Sequence, residues 1–532
     1  MKANPARRAG SAIAACLALV WLAGCGGSSA PPADPTPDKV VWTEAGKGAK
    51  QVGEQARQPA KAPQPKAGLE PPAPFEGWPK PAVALFFTGQ QRGYLEPCGC
   101  TGLENAKGGL ARRHTLLRQL RDERGWAVVP LDVGSQVRRY GRQPEIKFRW
   151  TADALRTLGY RAIVLGADDL RLPASELLNA TNPDENKPSI FTGANVALFT
   201  REFQPQFQVI EAGGRKIGVA AVLGDSFQQK LQSDDIVRQP AIEGLKQSCT
   251  ELKEQGCDYY VLLAHATLDE AKEIAQELPL FDLVVSSGGG GLPSTDLESI
   301  DGTKSKLLRI SHKAMHASVV GLFDERANPV RLQNVVLDSQ LKDSPEMLKL
   351  LADYQEELKS LGLEGLGLKP QPIESGAKFV GSETRGECHE KAFAIWSKTP
   401  HAHATDSLVT PPNTRGDIAR HYDPECLSCH VTGWQPQKYS PLESGYLSLE
   451  RTPQLAHNGC ENCHGPGSLH VEAESGGDEA LMAKLRETMK LPIAGGVAEN
   501  RCRECHDEDN SPDFGHKGFA AYWKEVEHRG KD

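Results

Sequence analysis

The sequence lacks a strong excess of charge of either sign and, beyond its N-terminal region, any long apolar run. The formal net charge is −8 over 532 residues, which is a poor match for a nucleic-acid-binding protein. After the first 25 residues no stretch of about 18 apolar residues occurs, so no later segment is predicted to span a membrane. Nucleic acid is therefore excluded as a partner, and most of the chain is expected to fold in water.

The N-terminal residues predict export from the cytoplasm. The basic stretch MKANPARR precedes the short apolar stretch AGSAIAACLALVWLAG, an order typical of a signal peptide. Leu22-Ala23-Gly24-Cys25 resembles the lipobox of bacterial lipoproteins, which implies removal of a signal peptide at 1–24 and lipidation of Cys25. An ordinary secretory signal cut nearby is the alternative. The resemblance implies a bacterial cell-envelope protein on the periplasmic side, bound to a membrane through its lipid anchor.

Composition divides the rest of the chain into four parts. Residues 25–80 are dominated by Ala, Pro, Lys and Gln, which predicts a lipid-anchored flexible tether. Residues 81–342 alternate apolar runs with amphipathic stretches, a pattern typical of an α/β domain. A helix and loop at 343–375 are predicted to link this domain to residues 376–532, where strand signals are few and helices and loops are expected.

The α/β pattern is clear enough to place individual elements. The predicted strands are AVALFFTG, WAVVPLDVG, YRAIVLGADD, YYVLLAHA and FDLVVSSGGGG, and the helices between them include KFRWTADALRTLG, AIEGLKQSCTELKEQG and LDEAKEIAQELP. The last two apolar runs, KLLRISHKAMHASVVGLFDE and PVRLQNVVLDS, have no helix between them and predict an added β-hairpin.

Histidine and cysteine are concentrated in the last segment, because 11 of the 15 histidines and seven of the 13 cysteines follow residue 376. Three Cys-x-x-Cys-His motifs occur there. In this spacing two thiols bind the vinyl groups of one haem and the adjacent histidine binds its iron. Zinc or disulfides are the rival interpretation, but three pairs each followed by His give an awkward ligand count for zinc. We predict haem c attached at Cys426 and Cys429, at Cys460 and Cys463, and at Cys502 and Cys505, with His430, His464 and His506 as proximal ligands.

A fourth Cys-His pair, Cys388 and His389, has Arg385 where the other motifs have their first cysteine. The surrounding segment FVGSETRGECHEKAFAIWSKTPHAHA resembles the first haem site of the tetrahaem cytochromes c related to the electron acceptor of hydroxylamine oxidation. The resemblance continues through YDPECLSCHVTGW, NGCENCHGPGSLH and CRECHDEDNSPDF. Two interpretations stay open: a fourth haem held by one thioether, or a vacated site with a free thiol.

The same resemblance implies distal iron ligands. TPHAHA, GPGSLH and YWKEVEH match positions at which that family tends to carry histidine. The implied distal ligands are therefore His401 or His403, together with His470 and His528.

The α/β part carries its own resemblance. GYLEPCGC, GGLARRHTLL, LDVGS, VLGADDL, GANV, LLAHA and VVSSGGGG follow the block order of calcineurin-like metallophosphoesterases of the 5'-nucleotidase branch. The resemblance implies a two-layer β-sandwich flanked by helices, with two divalent metals that activate water for phosphoester cleavage.

Most metal ligands of that family are missing from these blocks. Thr88-Gly89-Gln90 replaces Asp-x-His, Gly134-Ser135 replaces Gly-Asp, Ala167-Asp168 replaces Asn-His, and Gly288–Gly291 replaces Gly-His-x-His. Of the ligand positions, His265 still matches, Asp168 offers a substitute carboxylate, and Asn195 of GANV replaces none of the lost groups. Because two ions need about six protein ligands, we predict a catalytically degenerate scaffold for docking or ligand binding.

Four cysteines of the α/β part need a separate explanation. Cys98 and Cys100 in EPCGC are too close for an unstrained mutual disulfide, and Cys249 and Cys257 are available partners. A structural disulfide among these four is the favoured interpretation, and a soft-metal site is the alternative.

Three functions compete on these observations. The first is a multihaem cytochrome c that passes electrons between redox partner proteins, and the second is an oxidoreductase acting on a small nitrogen or sulfur compound at a five-coordinate haem. The third, a phosphoesterase with a redox sensor, fails on metal ligands. The many spare histidines favour electron transfer. Because the tail has few large apolar residues, we also predict that it is unfolded without haem.

Overall fold

The computed structural model of the chain describes residues 74–97, 106–182, 184, 188–325, 327–411, 417–507 and 510–528. The predicted signal peptide, the lipidation site at Cys25 and the cysteines Cys98 and Cys100 lie outside these ranges. Within them, no helix is both long and apolar enough to span a bilayer.

In the described residues, thirteen strands and seven helices make up the α/β part. The strands are β1 Val83–Thr88, β2 Val128–Asp132, β3 Ala162–Ile163, β4 Val196–Leu198, β5 Phe207–Ala212, β6 Arg215–Leu223, β7 Ile236–Arg238, β8 Tyr259–His265, β9 Leu283–Ser286, β10 Glu298–Ser299, β11 Lys306–Arg309, β12 His316–Leu322 and β13 Val330–Val336. The helices are α1 Leu110–Arg118, α2 Arg142–Thr157, α3 Ala174–Thr181, α4 Asp225–Gln228, α5 Ala241–Glu254, α6 Leu268–Glu277 and α7 Pro345–Gly365.

The strands form two main sheets that pack face to face. The first has the order β13-β12-β1-β2-β3 and the second β10-β11-β9-β8-β6-β5. Strand alternation explains the packing: Val83, Leu85 and Phe87 of β1 belong to the core between the sheets. Ala84 and Phe86 point to the opposite side, into the core beneath the helices. The strand is therefore apolar on both faces, and the predicted α/β sandwich flanked by helices is confirmed.

The end of the α/β part differs from the predicted hairpin. β12 and β13 do pair antiparallel, but the KLLR residues form β11, which lies parallel to β9 in the other sheet. A sharp turn at residues 312–314, where Lys313 has a φ of 53°, separates β11 from β12. The apolar run was one stretch in sequence because both strands are buried.

Residues on both sides of the predicted α/β limits pack onto its core. Phe75, inside the predicted tether, is 2% exposed, and the ring of Trp78 stacks on Trp126 at 6.1 Å. Helix α7, inside the predicted linker, buries Met347 and Leu351 in the same core as the first sheet. The predicted domain boundaries stay predictions.

The tail contains short helices and loops, as predicted, and one minimal strand pair. Its helices in the described residues are α8 Ser382–Gly386, α9 Glu390–Trp396, α10 Asp406–Val409, α11 Pro424–His430, α12 Cys460–His464, α13 Ser468–Gly476, α14 Glu479–Thr488, α15 Val497–Arg503, α16 Pro512–Lys517 and α17 Phe519–Val526, and its strands are β14 Trp434–Gln435 and β15 Ser440–Pro441. The one hydrophobic cluster among its described residues has only Leu427, Val431, Trp434, Tyr446 and Leu455 at its buried centre.

Candidate functional site

The cysteine-histidine motifs lie on or at the ends of short tail helices. Helix α11 ends at His430, and α12 consists of the whole second motif, Cys460–His464. In a helix, residues three and four apart share a face. The two cysteines and the histidine of each intact motif can therefore bind one haem from the same side.

Three of the four motif histidines face a second histidine ring. The ring centroids of His389 and His470 are 6.4 Å apart and the planes differ by 19°. His464 faces His528 at 5.7 Å, and His506 faces His401 at 6.0 Å. Two imidazoles that bind one iron through nitrogens at about 2 Å have centroids about 6 Å apart. The spacing of these pairs therefore fits one iron between each pair of rings.

Hydrogen bonds at Nδ1 leave the other ring nitrogen free in several of these histidines. Nδ1 lies 2.7 Å from the Met489 carbonyl oxygen in His464 and 2.8 Å from the Ala404 carbonyl oxygen in His430. In His528 it lies 2.9 Å from the carbonyl oxygen of Val526. A ring that donates from Nδ1 presents Nε2 as a ligand, and the hydrogen bond fixes its orientation.

The protonation state of the rings also suits iron binding. Burial, with a contribution from Arg385, lowers the pKa of His464 to about 4. Burial, with contributions from His506 and His430, lowers the pKa of His401 to about 4. Since a metal binds neutral imidazole, these rings need lose no proton to bind iron near neutral pH.

His430 differs from the other motif histidines. Among the side chains that the structure describes, no second histidine ring is paired with it. His403, which the sequence analysis gave with His401 as a candidate distal iron ligand, faces His457 with ring centroids 6.4 Å apart. The His403 side chain is 65% exposed and its Nδ1 lies 3.3 Å from Asp406. The structure thus brings His401 to a motif histidine and leaves His403 in solvent.

Arg385 lies beside the second intact motif. Its Nη1 donates to the carbonyl oxygen of Gly465 at 3.4 Å, directly after His464. Its positive charge also acts on Glu461, inside the same motif. The Cys388 thiol, three residues further on, is exposed and free. The residue that replaces the missing cysteine therefore joins two haem motifs.

Glu461 is a residue of this site that the sequence analysis missed. The residue is 2% exposed, and its carboxylate accepts backbone N–H groups from Gly381 at 2.7 Å, from Gly467 at 2.7 Å and from Val380 at 3.1 Å. It ties the chain before α8 to the turn after α12. In the sequence, Glu461 is one of the two unspecified residues between the cysteines of a Cys-x-x-Cys motif, so no sequence pattern indicated its role.

The three intact motifs contact one another. The side chains of Cys429 and Cys505 interact, which lowers the pKa of Cys429 and raises that of Cys505. The Asn458 side chain, just before the second motif, donates to the carbonyl oxygen of Cys429 at 3.0 Å. Asn462, within that motif, donates to the carbonyl oxygen of Val431 at 2.9 Å. Haems attached at these motifs would therefore be close neighbours.

In the α/β part, protein hydrogen bonds occupy the region of the missing metal ligands. Nε2 of Gln90 donates to the carbonyl oxygen of Ser287. The retained His265 has its Nδ1 2.8 Å from the Val133 carbonyl oxygen and 3.2 Å from the Ser287 hydroxyl. Asp168 is 30% exposed at its side chain and lies 3.9 Å from Arg171. Gln90 and His265 are therefore hydrogen-bonded to protein neighbours, and Asp168 lies beside a positive charge.

Two further side chains in these blocks have structural partners. The buried carboxylate of Asp169 accepts the backbone N–H groups of Ser135, Val137 and Gly166 at 2.9–3.0 Å, and burial raises its pKa to about 7. The Asn195 side chain bridges to Leu223, accepting its N–H at 3.0 Å and donating to its carbonyl at 2.8 Å. Within the described ranges, no group of three or more His, Cys, Asp or Glu side chains could hold a metal ion.

Cys249 and Cys257 do not form the predicted structural disulfide. Both are free thiols, and Cys249 is buried on the face of α5 that packs against the second sheet. Burial raises the pKa of Cys249 to about 12 and also raises the pKa of Cys257. Cys249 acts as a small core group without a covalent bond, and the partly buried Cys257 packs against the same cluster.

Comparison with known proteins independently supports the resemblance of the tail to a cytochrome c family. Residues 386–465 match the sequence model of the family "Cytochrome c554 and c-prime". The tail is similar to a cytochrome c family. A cytochrome c-554 from Nitrosomonas europaea is 29% identical over 173 residues, which cover 30% of this chain and 70% of that protein. The predicted resemblance is confirmed, and it implies covalently bound haem c.

The α/β part has its own similarities, to an apyrase and to a solved 5'-nucleotidase precursor. An apyrase from Aedes albopictus is 22% identical over 325 residues, covering 56% of this chain and 57% of the apyrase. The solved 5'-nucleotidase precursor from Thermus thermophilus is 18% identical, with a TM-score of 0.43, and the match covers 52% of this chain and 59% of that one. The chain thus spans less than two-thirds of either protein.

Proposed function

We propose that the chain is a lipid-anchored, multihaem c-type cytochrome of the bacterial cell envelope that transfers electrons between redox partner proteins. The observation that carries the proposal is the set of facing histidine pairs at three Cys-His motifs. Haem iron with two histidine ligands exchanges single electrons with little change in its coordination. The α/β part would be a docking or ligand-binding scaffold without phosphoesterase activity.

The chain's own residues fit this role. The paired imidazoles would hold each iron from both sides. In the pair of His464 and His528, Nδ1 hydrogen bonds to backbone carbonyls would keep both rings in place during oxidation and reduction. Direct contacts between the motifs, such as the hydrogen bond from the Asn458 side chain to the Cys429 carbonyl oxygen, support short distances between the haems.

We infer four haems rather than three. The ring centroids of His389 and His470 are 6.4 Å apart, a spacing that fits one iron as in the other two facing pairs. That spacing supports a retained haem site, with a single thioether at Cys388 and Arg385 standing in place of the missing cysteine. The proposed axial pairs are His389 with His470, His464 with His528, and His506 with His401.

Haem counting and spectroscopy of the mature full-length protein test this proposal. We expect an intact mass equal to the polypeptide plus four haems. Electron paramagnetic resonance (EPR) of the oxidised protein should give low-spin signals from three haems. A gain of three haems would remove the Cys388 site from the proposal. Fewer than three haems, or mainly high-spin signals from the three facing pairs, would refute the proposal as a whole.

A second function is favoured by His430 alone. Since no described histidine ring faces it, a haem held by Cys426 and Cys429 would have an open sixth position. Such a haem supports the alternative of an oxidoreductase acting on a small nitrogen or sulfur compound. Titration of the reduced protein with carbon monoxide tests it: one equivalent bound per chain favours this function, and no binding excludes it.

A further inference from the structure

The first turn of α11, which opens the Cys426 motif, is held by side chains of the α/β part. Lys147 of α2 is 6% exposed at its side chain, and its Nζ lies 2.7 Å from Oε2 of Glu425. The same ammonium is 4.0 Å from Oδ2 of Asp423. Glu425 directly precedes Cys426, so this contact is one residue from a haem-attachment thiol.

Asp423 is the centre of this contact. As the residue that begins α11, it accepts the backbone N–H of Glu425 at 2.9 Å. The Tyr354 hydroxyl, from α7, donates to it at 3.1 Å, and Gln143 Nε2, from α2, donates at 3.3 Å. Asp423 and Lys147 are both nearly fully buried, so the orientation of α11 depends on groups supplied by two helices of the other part.

Two more contacts strengthen this junction. Arg139 places its Nη1 3.2 Å from Oε1 of Glu425, and its guanidinium lies 3.4 Å from the ring centre of Tyr439. Three residues before Asp423, Arg420 forms an ion pair with Glu96 through Nε at 2.6 Å. The contacts thus surround the start of a single haem motif.

Burial sets the electrostatic effect of this cluster. Burial alone would lower the pKa of Lys147, but Glu425 and Asp423 outweigh it and raise that pKa, so the ammonium stays charged. Lys147 and Arg139 together balance the charges of Asp423 and Glu425. A fixed positive charge favours the reduced form of a nearby redox centre, and its effect is strong where water is excluded.

We propose that Lys147 is a positioning residue for the haem bound by Cys426, Cys429 and His430, and that its charge raises the midpoint potential of that haem. The α/β part would then set the properties of one haem in the series. This inference rests on the proposed haem attachment at these residues.

The test is an EPR-monitored redox titration of the full-length holoprotein, which follows each haem by its own signal. Lys147→Met should lower the midpoint potential of one haem, and Glu425→Gln should raise the potential of the same haem. Lys147→Arg, which keeps the positive charge, should leave the midpoint potential of that haem at its wild-type value. Arg142→Met is the matched control on α2, because the ion pairs described for Arg142 join it to Glu145 and Glu176 of the α/β part, and it should change no potential.

Opposite shifts separate a charge effect from a structural disturbance. The inference would be overturned if the midpoint potential shifted in neither variant, or if it shifted in the same direction in both. If Lys147→Met does not mature, Glu425→Gln and Lys147→Arg still decide it. Haem content is measured first on the wild type: a missing haem at Cys426 and Cys429 would refute the proposed function, and an unshifted potential with that haem present would refute only this inference.

Discussion

At the scale of single residues, Arg385 occupies the position where the three intact motifs have their first cysteine and links the Cys388-His389 pair to the second intact motif. Its guanidinium contacts the backbone beyond His464, while His389 still faces His470. One thioether and two imidazoles are sufficient to hold a haem, since iron ligation and covalent attachment are separate bonds. In the proposed four-haem arrangement, this site would therefore keep its two imidazole ligands and have one thioether in place of two.

Replacing Cys388 tests this attachment. Cys388→Ala should give a mature protein with one covalent haem fewer than wild type, because no second thioether remains at this motif. Intact-mass spectrometry under denaturing conditions measures the loss. Cys249→Ala, which removes a buried thiol of the α/β part, should keep the full haem count. An unchanged mass gain in Cys388→Ala would show that the site holds no haem covalently.

Replacing a distal histidine tests the pairing of rings. In His470→Ala the iron at His389 would lose its second axial ligand, so one haem should change from low-spin to high-spin in the EPR spectrum. His403→Ala is the control, because the His403 side chain is 65% exposed and its ring faces His457 rather than a motif histidine. The pairing would be wrong if His403→Ala gave the high-spin signal and His470→Ala did not.

At the scale of elements, the tail is held by side-chain contacts with backbone groups more than by packed helices. Helices α8 and α12 are five residues each and meet through the carboxylate of Glu461. Short helices leave many backbone N–H groups without intrahelical partners. The buried carboxylate of Glu461 accepts the N–H groups of Gly381 and Gly467, the residues that precede α8 and α13, together with that of Val380.

Removing this carboxylate should destabilise the haem-bound tail. Glu461→Ala leaves three N–H groups without their acceptor, and we expect a loss of about 1–3 kcal/mol in the free energy of unfolding. Denaturant titration followed at the Soret band measures it. Glu443→Ala, at an exposed acidic position, should stay within about 0.5 kcal/mol of wild type. Equal stabilities of the two variants would contradict the role given to Glu461.

At the scale of the whole molecule, the two parts differ in what forms their cores. In the described residues, the α/β part has apolar clusters on both faces of its sheets, whereas the tail has a single small cluster around Leu427 and Trp434. So few buried apolar residues do not offset the entropy of ordering a segment of this length. Haem would supply the remaining apolar surface of the tail.

A protein expressed without haem attachment should therefore be folded in one part only. We expect lost helical circular dichroism and rapid proteolysis after about residue 376, with a resistant fragment that contains the two sheets. The holoprotein treated in the same way is the control and should resist cleavage in the tail. An apo form with native-like circular dichroism and a protected tail would show that haem is not needed for folding.

The sequence by itself determined the features that depend on neighbouring residues. Cys-x-x-Cys-His is a local covalent pattern, and the continuous apolar runs of β1 and β8 are typical of strands buried on both faces, so the haem motifs and the α/β sandwich were predictable. The predicted disulfide was wrong for Cys249 and Cys257, because free and disulfide-bonded cysteines look alike in a sequence.

Only the tertiary structure decided what depends on residues far apart in the chain. Which of His401 and His403 lies opposite a motif histidine is one case, because two histidines separated by one residue differ only in what the fold places opposite them. The contact of Lys147 with Asp423 and Glu425 is another, since it joins parts whose sequences carry no common pattern. Long-range contacts arise from packing, and no local pattern encodes them.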